Sequence, residues 1–143
     1  MNRQLFRVMI VDDDSTIRGL LAEALTEEGY TAVTAADGIE ALDVLATTQP
    51  NLVLLDLQMP KMDGRAFVQA LSNNRIHTPI IIMSAGFPTK SIASELGAQG
   101  HLAKPFDLDH VIDQVQRIYA EWSDTKLPVP TTTPTTISQS RFG

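Results

Sequence analysis

No cysteine occurs in the 143 residues. This excludes a disulfide framework, thiolate metal sites and cysteine nucleophiles, and it fits a reducing compartment. Long apolar runs are missing too. No stretch approaches the length of a membrane span, and a strand-like segment begins within about five residues of Met1 with no signal-peptide core before it. A soluble, cytoplasmic protein is expected. Basic residues are scarce, 11 against 17 acidic ones for a net charge of −6, and they do not cluster. Nucleic-acid binding depends on neutralising phosphates with grouped Lys and Arg, so none is expected of this chain directly. The length suits one ordinary domain with a core that needs no covalent staples.

What the chain does contain is organised around Asn51 to Gly64, NLVLLDLQMPKMDG. Leu52 to Leu55 form an unbroken apolar run, too short for a free-standing helix and suited to a strand buried on both faces. Asp56 ends that strand, Gln58-Met59-Pro60 turn the chain into a loop, and Asp63-Gly64 close the loop before a helix. A lone Asp after an apolar run commonly caps a turn. The other strand ends decide whether this one does more.

Phe6–Val11 is the first strand candidate and runs into Asp12, Asp13 and Asp14, of which only one is needed to cap the next helix. That helix offers Ile17, Leu20, Leu21, Ala24 and Leu25 as its apolar face and stops at Gly29. Tyr30–Ala35 is a second strand, and Asp37 with Glu40 resembles a capping box for a helix whose buried stripe is Ile39, Leu42, Leu45 and Ala46. After Gly64 come a short helix (Phe67, Val68, Leu71), a strand at Pro79–Met83 ending on Ser84, and a weak helix (Ile92, Ala93, Leu96). A fifth strand at Gly100–Ala103 ends on Lys104-Pro105, and a final helix from Asp107 carries the most regular stripe, Leu108 to Trp122.

Strand and helix alternate five times, so the expected fold is a doubly wound α/β domain, a five-stranded parallel sheet of flavodoxin-like order 2-1-3-4-5 with helices on both faces. Asp12, Asp13, Asp56, Ser84 and Lys104 would then share one rim. Two carboxylates about 4 Å apart repel by roughly 4 kcal/mol at an effective dielectric of about 20, so three gathered together need a cation. Lys104 supplies one charge. The remainder suits a hard divalent ion, magnesium rather than zinc, because neither cysteine nor histidine is expected at the rim. A carboxylate nucleophile, a lysine, a hydroxyl and magnesium are together what phosphoryl transfer requires.

With VDD at Val11–Asp13, LLDLQMPKMDG at Leu54–Gly64, MSA at Met83–Ala85 and KPF at Lys104–Phe106 in this order, the chain resembles a receiver domain of a two-component response regulator from Phe6 to about Trp122. The resemblance implies that Asp56 accepts a phosphoryl group from a phosphohistidine on a sensor histidine kinase or histidine phosphotransfer protein. It implies that Asp13, Asp56 and the backbone carbonyl of Gln58 bind Mg2+ directly, with Asp12 acting mainly through water. Ser84 and Lys104 would bind phosphoryl oxygens, and a cis peptide would join Lys104 to Pro105. The switch would be read on the face of the fourth helix, fifth strand and fifth helix by a downstream protein, and the chain would catalyse at most its own phosphorylation and dephosphorylation. His101 stands where the family often places a Tyr or Phe that follows the hydroxyl residue inward. Gln58 and Gly86 hold positions that govern water access to the phosphoryl group. His77 and His110 read as surface residues, Asp14 as a cap, and Met59, Met62 and Met83 as packing.

Three other readings compete with this one. A haloacid-dehalogenase-type phosphohydrolase also uses an aspartate after a strand, but wants a second acid where Gln58 stands; a receiver-like docking module would need no phosphate. A nucleotide- or flavin-binding domain is disfavoured, since no glycine-rich loop follows the first strand. The organisation expected is a receiver over residues 1–123 and a Thr/Pro/Ser-rich tail or linker start over 124–143, too poor in apolar residues to offset its ordering entropy. The last-helix face could support a phosphorylation-dependent homodimer.

Overall fold

Branched aliphatic runs bounded by polar turns form strands because both faces of a parallel sheet are covered and each alternate side chain finds a core. The computed structural model describes residues 3–59, 62–85 and 89–126. A short 3-10 turn at Arg3–Leu5 leads into β1 (Arg7–Val11), α1 (Ser15–Glu27), β2 (Thr31–Ala35), α2 (Gly38–Thr48) and β3 (Leu52–Asp56). Then follow α3 (Gly64–Asn73), β4 (Ile80–Ser84), α4 (Thr89–Leu96), β5 (Gly100–Ala103) and α5 (Leu108–Lys126). The strands are parallel in the order β2-β1-β3-β4-β5, as expected. The last helix continues to Lys126, past the boundary expected at residue 123, and the remainder of the expected tail lies outside the described residues.

Alternation along β1, β3 and β4 divides the interior into two cores. Val8, Ile10, Leu52, Leu54, Ile81 and Met83 face α1 and α5, where Leu21, Leu25, Val111 and Val115 meet them. Met9, Val11, Val53, Leu55, Ile80 and Ile82 face α2, α3 and α4, and pack on Ala41, Leu45, Phe67, Leu71 and Ala93. Two expected stripes are corrected. Leu20 is 46% exposed and Ile39 50% exposed, and Ala46 is exposed as well. A helix turns about 100° per residue, so the face that meets the sheet is narrow, and a stripe drawn one residue off faces water. In α2 the inward residues are Gly38, Ala41 and Leu45. Small side chains there let the helix approach closely: a Cβ on Gly38 would lie 2.8 Å from Met62.

At the rim where the strands begin, Phe6 packs edge-on against Tyr30, Tyr119 and Trp122 with ring centroids 5.9, 5.4 and 5.2 Å away. The Arg3 guanidinium lies 5.2 Å from the centre of the Tyr30 ring. This cluster ties α5 to the first strand. On the opposite flank α4 is lightly held, with Ala93 as its one buried hydrophobic residue among those described and an exposed Arg65–Glu95 ion pair at 2.8 Å.

Two glycines in different settings make a matched test of this packing. A Cβ on Gly64 would lie 2.8 Å from Leu57 Cα and 2.9 Å from the Asp56 carbonyl oxygen, backbone atoms that cannot step aside. Gly64→Ala is expected to lower the urea-unfolding free energy by roughly 1–3 kcal/mol. Gly19, inside α1 with open space around it, should gain about 0.5–1 kcal/mol on substitution by Ala. Equal effects of the two substitutions would contradict the packing described.

Candidate functional site

The strands deliver their polar ends to one rim. Asp12 follows β1 and is fully buried, and its amide donates to the Ala35 carbonyl at 3.2 Å. Its carboxylate is held on both oxygens: Oδ1 accepts from the Asp14 amide at 2.9 Å and Oδ2 from Lys104 Nζ at 2.8 Å. Asp14 is the cap expected among the three aspartates, accepting from the amides of Thr16 and Ile17. Between them Asp13 is exposed, and its carboxylate has no hydrogen-bond partner among the described residues.

Asp56 ends β3 with 3% of its surface exposed. Its Oδ1 accepts from the Gln58 amide at 3.2 Å and lies 3.6 Å from Lys104 Nζ. Burial pushes its carboxyl up to about 6, and the charge of Asp12 pushes the same way; the Gln58 amide and Lys104 oppose without overcoming them, while Asp13 adds to the rise. Burial alone would lower the Lys104 ammonium, yet the hydrogen bond to Asp12, that residue's charge and Asp56 together raise it above its ordinary value. Asp63 caps α3 through the Ala66 amide, and the Gly64 amide donates to the Leu57 carbonyl, which closes the loop behind Asp56.

One strand further along, Ser84 at the end of β4 is 1% exposed, and its Oγ is buried without a hydrogen-bond partner among the described residues. A hydroxyl left in this condition costs free energy unless a further group meets it. The Lys104 amide donates to the Ser84 carbonyl at 2.8 Å, so the β4 and β5 ends are locked together. The Lys104–Pro105 peptide is cis. His101 is half-buried on β5 and pairs in register with Ile82, which puts its side chain on the sheet face that α4 covers. Its carbonyl accepts from Gln114 Nε2 at 2.7 Å. Gln58 is exposed, as are His77 and His110, while Met59 and Met83 are core residues on opposite faces of the sheet and Met62 packs on the core that holds Met59. Gly86 lies outside the described residues.

One carboxylate oxygen from each of Asp12, Asp13 and Asp56 lies within 4.8 Å of the others. An all-oxygen donor set of high negative charge, with an unmatched hydroxyl beside it and no sulfur or imidazole, suits a hard divalent cation such as Mg2+. Arg18 was not singled out by the sequence, yet its Nη1 donates to the Asp12 carbonyl at 2.8 Å. Only its position one turn into a helix that starts at the acidic run could have pointed to it.

Residues 8–116 match the family model described as the response regulator receiver domain. The chain is 41% identical over 113 residues to sporulation initiation phosphotransferase F of Bacillus subtilis, covering 78% of this chain and 91% of that protein. It is 37% identical over 123 residues to the DNA-binding transcriptional regulator NtrC of Escherichia coli, covering 85% of this chain but 26% of NtrC. Among solved structures, the receiver domain of the Francisella response regulator 1452 superposes with a TM-score of 0.76 at 31% identity, covering 81% of this chain and 98% of that one. No helix among the described residues is long and apolar enough to cross a membrane.

The buried Asp56 carboxyl makes stability depend on pH in an unusual sense. Because it is raised to about 6 from an ordinary value of 3.8, the folded chain holds the proton that the unfolded chain has already released between these values. Stability without divalent ions therefore falls as pH rises through that window, by roughly 3 kcal/mol in all from this group. Asp56→Asn should be the more stable protein at about pH 7.5 and lose that advantage near pH 4. Urea titrations at both values check this, and a pH-independent difference would refute it.

Proposed function

Because the chain belongs to the response regulator receiver family, we propose that it is a phosphorylation-controlled switch in which Asp56 takes a phosphoryl group from a phosphohistidine. The observation that carries this reading is a buried Asp56 carboxylate 3.6 Å from Lys104 Nζ and grouped with two further acids. An Asp56 oxygen attacks phosphorus, an O–P bond forms, and the P–N bond breaks with its electron pair leaving on the imidazole. Asp13, Asp56 and the Gln58 carbonyl would hold Mg2+ directly, and Asp12 would act mainly through water. The ion supplies neutralisation of the carboxylate and phosphoryl charge that gathers there.

Lys104 and Ser84 would bind the phosphoryl oxygens. The buried Ser84 hydroxyl lacks a partner among the described residues, and a group bringing roughly −1.5 to −2 charges would give it one. Such a shift would draw on β4 and β5, and so on the face formed by α4, β5 and α5, where a downstream protein would read it. His101 would take the place of the family's usual aromatic residue in that movement, and water access past Gln58 and Gly86 would set the lifetime.

The donor would be a sensor histidine kinase or a histidine phosphotransfer protein. The chain would be a phosphoacceptor working in the cytoplasm, with no catalysis beyond its own phosphorylation and dephosphorylation. The receiver would end with α5, leaving the Thr/Pro/Ser-rich sequence after it as a tail or linker start, and phosphorylation could favour a homodimer through the α5 face.

Intact mass after incubation with acetyl phosphate and Mg2+ tests the proposal. The wild type is expected to gain the mass of one phosphoryl group, while Asp56→Asn, or the wild type without Mg2+, gains none. A wild type that gains none under any condition, and whose amide spectrum is unmoved by fluoroberyllate, would refute the switch and favour a phosphate-independent docking module.

A further inference from the structure

Asp13 is the acidic-pocket residue with least to hold it. Asp12 is fixed through four polar atoms: its amide by Ala35, its two carboxylate oxygens by the Asp14 amide and Lys104, and its carbonyl by Arg18. Asp14 is fixed as the helix cap. Asp13 lies between them, exposed, with no partner for its carboxylate among the described residues. The direction in which it leaves the chain is therefore set by the backbone on either side of it.

Arg18 spans this turn. Its amide donates to the Asp14 carbonyl at 2.9 Å, starting α1, while its guanidinium returns to the Asp12 carbonyl at 2.8 Å. One residue thus contacts the backbone before Asp13 and the backbone after it. Helical side chains lean toward the helix N-terminus, so position 18 is well placed to reach back to the end of the strand. We propose that Arg18 is a positioning residue for the cation site, holding the β1–α1 turn so that the Asp13 carboxylate meets that of Asp56. This inference rests on the magnesium reading above.

Electrostatics and positioning make opposite forecasts for its removal. Arg18 is a cation held against the Asp12 carbonyl, on the turn that carries two of the acids, and deleting its charge should by itself tighten divalent binding. Releasing the turn should weaken it, because loss of groups that orient metal ligands commonly costs about tenfold or more in affinity. Calorimetric titration of Mg2+ into wild type, Arg18→Ala and Arg18→Gln decides between them, with folding checked by amide spectra. The expected result is a dissociation constant raised about tenfold in Arg18→Ala, with much of the loss recovered in Arg18→Gln, which keeps a donor without the charge. Faster hydrogen exchange at the Asp14 amide should accompany the weakening. Affinity unchanged or tightened in folded Arg18→Ala overturns the inference alone. A wild type that binds no Mg2+ overturns both the inference and the magnesium reading beneath it.

Discussion

One ammonium group holds the polar end of the sheet together. Lys104 Nζ reaches Asp12 at 2.8 Å and Asp56 at 3.6 Å from the end of β5, whereas the carboxylates come from β1 and β3. Each close pair of carboxylates repels by about 4 kcal/mol at an effective dielectric of about 20, a large part of a small domain's stability. A single lysine does not cancel three acids, and burial together with the charge of Asp12 leaves the Asp56 carboxyl raised. The fold has thus accepted a destabilised corner where its strand ends meet, as sites built for chemistry commonly do.

That corner is stiff on one side and loose on the other. β1 and β3 are interior strands with both faces covered, and the loop behind Asp56 is pinned by Gly64 against the backbone of Leu57. β5 is an edge strand of four residues, and α4 beyond it buries little. The exposed Arg65–Glu95 pair across to α3 adds little to that docking. Charge introduced near Asp56 would meet a fixed wall toward β1 and a yielding one toward β5. Movement would follow the side that resists least.

Much of this was legible in the sequence because parallel strands advertise themselves. Runs such as Leu52–Leu55 and Ile80–Met83 admit few other roles, and the caps at Asp14, Asp37 and Asp63 stand where their residue types require. The rim followed from strand order alone. What failed was angular: Leu20 and Ile39 satisfy a helical spacing yet face outward, since spacing fixes a period without its phase. Arg18 was hidden for another reason. Its contact is to a carbonyl, and any residue offers one, so no pairing of side chains in the sequence marks it. Gly64 reads as a turn former and Gly38 carries no signal of its own, whereas the exacting role of both is to let backbones approach, which only packing reveals.

The aromatic cluster at the opposite rim has a spectroscopic consequence. The chain contains one tryptophan, Trp122, and it sits on α5 with its ring 5.2 Å from Phe6 and 6.0 Å from Tyr119. It lines a groove with Pro50 and Pro79, at the rim where β3 and β4 begin rather than where they end. Ultraviolet emission from this protein is therefore a gauge of whether α5 is seated on the first strand. It reports from the far end of the sheet, the rim opposite the aspartates.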